Sequence, residues 1–316
     1  MDLGSWTTPL AYVGLASTAY IAYKFISSAA IYLLPSTLIK THNCSGKNWA
    51  LVTGATDGIG FGFCEELCSR GFNVILHGRS RTKLEKRRGE LQADFPSRKI
   101  GIVVLDVCEL AAGMNGLAQD VQAILTAHGG DLTVLVNNVG GETSPYTCLD
   151  GLSFDSARQT IERNASATLQ ITRELLPLLV AGERGVILNV SSISAYGMPY
   201  ISVYSSTKGF INTFTRALEA ECKAEKRNVD VIGLTVAEVN TPGHPVPPGL
   251  FRPTPRVLAS AGLNRVGCGR VMAFAYFPHW IQGLSLDVLP RSFMMKITAE
   301  RMQALQKETE RANKKQ

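Results

Sequence analysis

The sequence predicts an α/β protein, a doubly wound parallel sheet carrying a membrane helix at its N-terminus. Three observations predict it. From Asn48 to Val236, short runs rich in Val, Ile and Leu alternate with longer helical patterns. The first run leads straight into the glycine-rich octet TGATDGIG. Ahead of both, Leu10 to Leu34 is apolar or small apart from Lys24. Strands buried on both faces of a parallel sheet read as continuous apolar runs. Their alternation with helices predicts βαβ crossovers.

The anchor comes first. Thr8 and Pro9 read as an N-cap and a first helical residue. Pro35 and Ser36 close the segment, so the anchor is expected over 9–35. Roughly 20 apolar residues span a bilayer, and this run is long enough. It is too long for a signal-peptide core. A lysine at the centre of a span costs about 2.5–3.5 kcal/mol on insertion scales. Three readings of the segment stay open: a single span, an interfacial or hairpin anchor, and a buried soluble helix. Asp2 precedes it, whereas Lys40 and Lys47 follow. The positive-inside rule then leaves the rest of the chain in the cytosol.

The main domain is expected over 46–300. WALVT (49–53) is a strand ending in the glycine turn, and FGFCEELCSRG (61–71) a helix stopped by Gly71. FNVILHG (72–78) is the second strand, and 82–95 a helix stopped by Pro96. KIGIVVLDV (99–107) and DLTVLVNN (131–138) are the third and fourth strands, with a helix over 116–130 between them. After a loop, 167–180 is a helix and GVILNVSS (185–192) the fifth strand. A helix over 203–225 leads to NVDVIGLTV (228–236), the sixth.

Beyond it the pattern changes. Thr241 to Pro255 is proline-rich and cannot form a central strand or a regular helix. At this place it suits a flap, expected over 241–270; the plainer reading is a connector. Val271 to Met295 is apolar but broken by Pro278 and Pro290. Ordinary core, a substrate-channel wall and a membrane-contact surface are its three readings. Residues 301–316 read as a charged tail.

Composition excludes several classes. The chain has 316 residues, 45% hydrophobic and 18% charged, with a net charge of +6. No basic patch with interleaved aromatics appears, so nucleic acid is not an expected partner. The seven cysteines, Cys44 among them, form no C-x-x-C pair, and no histidine joins Cys64 and Cys68. They read as small buried hydrophobes in a reducing compartment, with no metal site.

The chemistry concentrates in two places. In TGATDGIG, Thr53, Gly54, Asp57, Gly58, Ile59 and Gly60 form a turn between a strand and a helix. Its glycines let the backbone approach a pyrophosphate, whose charge sits on the helix N-terminus. The second strand ends at Arg79, where NAD sites carry an acid. A guanidinium suits a 2′-phosphate, so NADP is the expected cofactor; otherwise Arg79 merely opens the solvated basic run that ends at Arg88. Asp106 ends the third strand and either accepts from an adenine amine or caps a turn. The other place is SSISAYGMPYISVYSSTKG, residues 191–209. Tyr204 and Lys208 are one helical turn apart and share a face. A lysine ammonium beside a phenol lowers its pKa, which makes Tyr204 a general acid for a carbonyl or a general base for an alcohol. Tyr196 and Tyr200 have no lysine four residues on, and packing or substrate contact suits them better.

TGATDGIG, then NNVG (137–140), then YSSTK (204–208), in this order and spacing, resemble the short-chain dehydrogenase/reductase superfamily. The resemblance covers about Asn48 to Thr241 and implies a Rossmann fold. It implies that Asn138 and Lys208 hold the cofactor, with Tyr204 beside them, and that Val239 and Thr241 touch its nicotinamide end. It implies that Ser192 binds the substrate oxygen and that Asn164 supports a proton relay through the lysine. Val139 replaces the usual alanine. Two further departures stand out. The family serine precedes the tyrosine by thirteen residues; Ser191 does so here, and Ser192 precedes it by twelve. Position after the strand favours Ser192 over Ser191. Val236 and Ala237 stand where the family has Pro-Gly, which leaves the local loop shape and the substrate scope open.

The anchor, NWALVTGATDGIG, NNVG and the segment around AYFPHWIQ resemble the membrane-anchored branch of 17β-hydroxysteroid dehydrogenases and very-long-chain 3-oxoacyl-CoA reductases. That implies an NADPH-dependent ketoreductase, single-pass in the endoplasmic reticulum membrane, with its catalytic domain in the cytosol. The expected substrate is hydrophobic: a long-chain 3-oxoacyl-CoA or a steroid, otherwise a polyketide or terpenoid ketone. A homo-oligomer and, more remotely, a catalytically silent membrane scaffold are the remaining alternatives.

Overall fold

The computed structural model describes residues 4–43, 45, 47–108, 116–142 and 146–313. Asp2, Cys44, Lys314 and Lys315 lie outside them. Helix α1 (Gly4–Ala30) and a short α2 (Leu38–His42) precede the sheet. Then β1 (Trp49–Thr53), β2 (Asn73–Gly78) and β3 (Ile100–Val104) alternate with α3 (Gly58–Ser69) and α4 (Arg81–Asp94). Next come α5 (Leu117–His128), β4 (Leu132–Asn137), α6 (Phe154–Ile161), α7 (Ala167–Ala181) and β5 (Gly185–Ser192). The chain continues through α8 (Ser202–Ala224), β6 (Val229–Val236), α9 (Pro255–Leu263), β7 (Met272–Phe274), α10 (Phe277–Val288) and α11 (Arg291–Asn313).

The sheet is parallel throughout, in the order β3-β2-β1-β4-β5-β6-β7. Every residue of β1, β2 and β4 is buried, which is why these strands show no polar alternation. Ala50, Val52, Val74 and Val134 pack on one face with Phe63 and Leu67 of α3 and Leu258 of α9. Leu51, Ile75 and Leu135 pack on the other with Val121 of α5, Ile171 of α7 and Leu218 of α8. A buried polar ladder ties that second layer to the sheet. Asn137 Nδ2 donates to Thr172 Oγ1 and Asn189 Oδ1 (both 2.8 Å), and Asn189 Nδ2 donates to Thr215 Oγ1 (2.9 Å). Such groups must be paired where water is excluded, so the ladder fixes α7 and α8 against β4 and β5.

Several expectations are corrected. Helix α1 begins at Gly4, ahead of the Thr8–Pro9 start. Among the described residues, no helix is both long enough and apolar enough to cross a membrane; Lys24 and the tyrosines at 12, 20 and 23 dilute α1. The loop before α7 holds α6 and a turn of π-helix over Glu162–Ser166. A seventh, three-residue strand follows the sixth. The expected 241–270 flap is half core: Leu258, Ala259, Leu263 and Val266 are fully buried. The expected tail boundary at 301 falls inside α11.

Candidate active site

The sheet order reverses between β1 and β4, and a ligand crevice belongs outside the C-terminal strand ends at such a point. Thr53 closes β1 there. Its Oγ1 donates to Val136 O (3.2 Å) and accepts from the N–H groups of Asn138 and Val139 (both 2.9 Å). Asn138 Nδ2 donates back to Thr53 O (3.0 Å). The two strand ends are thereby locked to one another.

The glycines of the turn are required by geometry. Gly54 and Gly58 take φ of +65° and +51°, the left-handed region that penalises a Cβ. A Cβ on Gly60 would collide with the Gly54 carbonyl and the Asn138 amide. Asp57 caps α3, its Oδ1 accepting from Gly58 N–H at 2.8 Å. A Cβ on Gly58 would meet Thr241 at 3.3 Å, so the segment after β6 lies over the turn. Ile59 is partly buried against the core below, and Val239 is buried within it. Bare backbone at a helix N-terminus is a fit for a pyrophosphate. Arg87 of α4 also braces the turn, donating from Nε to Thr56 O (2.9 Å) and lying 3.7 Å from Asp57. In the sequence it is one cation in a solvated run, and nothing there marks it out.

Arg79, just past β2, is exposed and forms no ion pair among the described residues. Asp106 Oδ1 accepts from Cys108 N–H (3.0 Å) and so caps the turn after β3. His77 is buried beside it, and burial holds its imidazole down to about 4.

The second cluster forms where β5 meets α8. Ser191 is fully buried, its hydroxyl donating to Asn212 Oδ1 at 2.5 Å. Ser192 sits one residue on, at the end of the strand. Its Oγ accepts from Ser194 N–H (3.1 Å) and shares a hydrogen bond with the Tyr204 phenol. Lys208 is 5% exposed. Its Nζ donates to Val190 O (2.9 Å) and lies 5.6 Å from the centre of the Tyr204 ring. Asn164 stands in the π-helical turn. Its Oδ1 accepts from Gly141 N–H (3.0 Å), and its Nδ2 donates to Gly141 O (2.8 Å) and Thr160 O (2.7 Å). Gly140 lies between the clusters, where a Cβ would meet Asn164 Oδ1 at 2.6 Å and Lys208 Nζ at 3.5 Å. Asn164, Ser192, Tyr204 and Lys208 are thus drawn to one place from a π-turn, a strand end and a helix.

The electrostatics differ from the sequence expectation. Burial pushes the Tyr204 phenol up to about 12; the Ser192 hydrogen bond pulls it down, and the Glu142 charge adds to the rise. Lys208 is not among the groups that set this shift, and burial brings its own ammonium down to about 8. Glu142, held by the Thr160 hydroxyl at 3.2 Å, went unread in the sequence. It is near Tyr204 only through the fold.

The other two tyrosines of the segment serve packing. Tyr196 donates to Asp287 of α10 (3.2 Å), and Tyr200 accepts from Gln303 of α11 (2.6 Å). A cavity of about 560 Å³ opens beside them, lined by Ala195, Met198, Ser205, Met295 and Ala299.

The short chain dehydrogenase family profile matches residues 48–245. A very-long-chain 3-oxoacyl-CoA reductase of Coprinopsis cinerea is 34% identical over 87% of this chain and 79% of its own length. Very-long-chain 3-oxoacyl-CoA reductase-A of Danio rerio is 34% identical over 89% of this chain and 86% of its own. Among solved structures, a 7beta-hydroxysteroid dehydrogenase superposes with a TM-score of 0.66 at 22% identity, over 81% of this chain and 96% of its own. A putative short chain dehydrogenase from Escherichia coli CFT073, complexed with NADPH, gives 0.63 at 21% identity, over 72% and 95%. At such identities the two structures speak for the fold alone.

Proposed function

Because this chain belongs to the short chain dehydrogenase family, we propose that it reduces the ketone of a long-chain 3-oxoacyl-CoA with NADPH. It is an oxidoreductase acting on CH–OH and C=O groups. The observation that carries the mechanism is the convergence of Tyr204, Ser192, Lys208 and Asn164 beside the glycine turn. The turn fits a dinucleotide: Gly54 and Gly58 take left-handed φ, and Gly60 lets the turn close on the Gly54 carbonyl at the N-terminus of α3. Thr53, Gly54, Asp57, Gly58, Ile59, Gly60 and Asn138 form the cradle, with Asp106 at the adenine end and Val239 and Thr241 at the nicotinamide end. Arg79, exposed and without a carboxylate partner among the described residues, suits a 2′-phosphate. When bound, the reduced nicotinamide supplies a hydride to the ketone carbon.

The protein's own groups handle the oxygen. Ser192 holds it by a hydrogen bond, and Tyr204 donates the proton. A phenol with its pKa near 12 is protonated at neutral pH, as a general acid for reduction must be. Lys208 holds the cofactor ribose and stabilises the phenolate left behind. Asn164, fixed by three hydrogen bonds, orients the relay that returns the proton. Helix α1 anchors the protein to the endoplasmic reticulum membrane with the catalytic domain in the cytosol.

The relatives named very-long-chain 3-oxoacyl-CoA reductases support the substrate class. The test is NADPH oxidation by the full-length protein in detergent, with 3-oxoacyl-CoA esters of increasing chain length. Turnover rising with chain length is expected. Turnover of steroid ketones with none of any 3-oxoacyl-CoA would sink the substrate assignment.

A further inference from the structure

We propose that α10 and the first turns of α11 form a second membrane-contact surface, seated on phospholipid beside the point where α1 leaves the body. The proposal rests on reading α1 as a membrane anchor and extends it to a part of the main domain.

An unpartnered apolar face motivates it. Phe277, Ile281 and Val288 recur along one side of α10 and are 42%, 43% and 71% exposed. Leu289, Phe293 and Ile297 continue that side around Pro290 into α11, at 41%, 52% and 45%. Soluble surfaces tolerate such residues singly, but a contiguous group marks an interaction site. Pro278 lies in the first turn of α10 and Pro290 directly precedes α11, so the two apolar stretches follow one another with only Leu289 and Pro290 between the helices.

Its neighbours indicate what covers it. Trp280 of α10 packs against Phe25 of α1 (ring centroids 5.2 Å apart) and stacks on Phe277 (5.6 Å). Tyr32, just past α1, packs edge-on against Phe277 (5.2 Å), donates to Phe274 O (3.1 Å) and lies under the Arg265 guanidinium (4.6 Å). Arg265 also donates to Ile31 O. Helix α1 is thereby fixed to α10, and its free length exposes large apolar side chains: Leu10, Val13, Leu15, Ile21 and Ile26 are all at least 63% exposed. Whatever apolar phase receives α1 must also meet α10. Trp and Tyr gather where a protein crosses from water into lipid. Arg291 and Lys296 flank the patch, exposed and without ion pairs among the described residues, and suit phosphate head groups.

The surface also connects to the catalytic cluster. Tyr196 and Tyr200, in the loop between Ser192 and Tyr204, bond to α10 and α11. A hydrophobic substrate dissolved in the bilayer would therefore meet the protein next to the loop that borders the reacting groups.

The chain has three tryptophans, and they make the test specific. Full-length protein is mixed with phosphatidylcholine–phosphatidylserine vesicles whose acyl chains are brominated, which quenches nearby indoles. Trp6→Phe leaves Trp280 as the reporter of α10, and Trp280→Phe leaves Trp6 as the reporter of α1. Trp49 is fully buried and forms the common background. Loss of Trp280 emission is expected, and Ile281→Glu with Val288→Glu should restore it while Trp6 stays quenched. Both replaced side chains are exposed, so the fold tolerates the change. An unquenched Trp280, or quenching that persists in the double variant, would overturn the proposal. An unquenched Trp280 with self-association abolished by the same two substitutions also overturns it, assigning the face to a second copy. Emission from Trp6 judges the anchor reading separately.

Discussion

Lys208 illustrates a conflict between stability and function at a single residue. Burial lowers its ammonium from 10.5 to about 8. Between those values the unfolded chain binds more protons than the folded one, so stability rises with pH across that window. Below about 8 the buried charge costs the fold about 3 kcal/mol, partly offset by about 1 kcal/mol from the bond to Val190 O. Lys208→Met is therefore expected to raise the melting temperature at pH 7, to lose that gain as pH rises from 8 to 10.5, and to abolish turnover. A melting temperature that falls at pH 7 would contradict the burial argument. Arg79 carries the cofactor prediction. Arg79→Ala should weaken NADPH binding roughly 10- to 100-fold and leave NADH nearly unchanged, as read by cofactor fluorescence titration; equal weakening of both would remove the 2′-phosphate assignment. Tyr204 and Lys208 were legible because their relation is a four-residue spacing. The choice between Ser191 and Ser192 was not, since only the side chains' directions separate them: one is tied to Asn212 inside the core, the other meets the phenol. Glu142 was illegible for a related reason, lying sixty-two positions from Tyr204 in the sequence.

Elements were legible where burial is uniform. The β1, β2, β4, β5 and β6 runs could be read almost to the residue, because strands covered on both faces are apolar without alternation. Strand β7 was missed: three residues carry too little pattern, and it forms only by pairing with the longer β6. The π-turn before α7 was missed because it is an irregularity inside a helix that no residue announces, although it sets the position of Asn164. The turn after β1 makes the clearest prediction at this scale. Gly60→Ala places a methyl against Gly54 O and Asn138, an overpacking that costs about 1–3 kcal/mol. The variant should unfold at lower temperature and bind NADPH more weakly. Full cofactor affinity in a normally folded Gly60→Ala protein would show that the turn is not the cradle.

For the whole molecule, one sheet separates two cores and brings its reactive groups to the C-terminal strand ends. The doubly wound architecture follows from the alternation of runs and helices, so it was readable before any contact was known. The arrangement around α1 was not. Periodicity identifies an apolar helix, but Lys24 and three tyrosines leave its depth in a bilayer undecided, and its docking on Trp280 depends on aromatic contacts far apart in sequence. Lipid-side substrate entry and chain-length preference both presuppose that the cluster at β5 and α8 is the reacting centre. The most direct test of that claim is NADPH oxidation by wild type and Tyr204→Phe with a long-chain 3-oxoacyl-CoA, alongside NADPH affinity. Removing a general acid should lower kcat by about 10²- to 10⁴-fold while NADPH still binds. Turnover retained in Tyr204→Phe would contradict the assignment of Tyr204 as proton donor, and with it the mechanism.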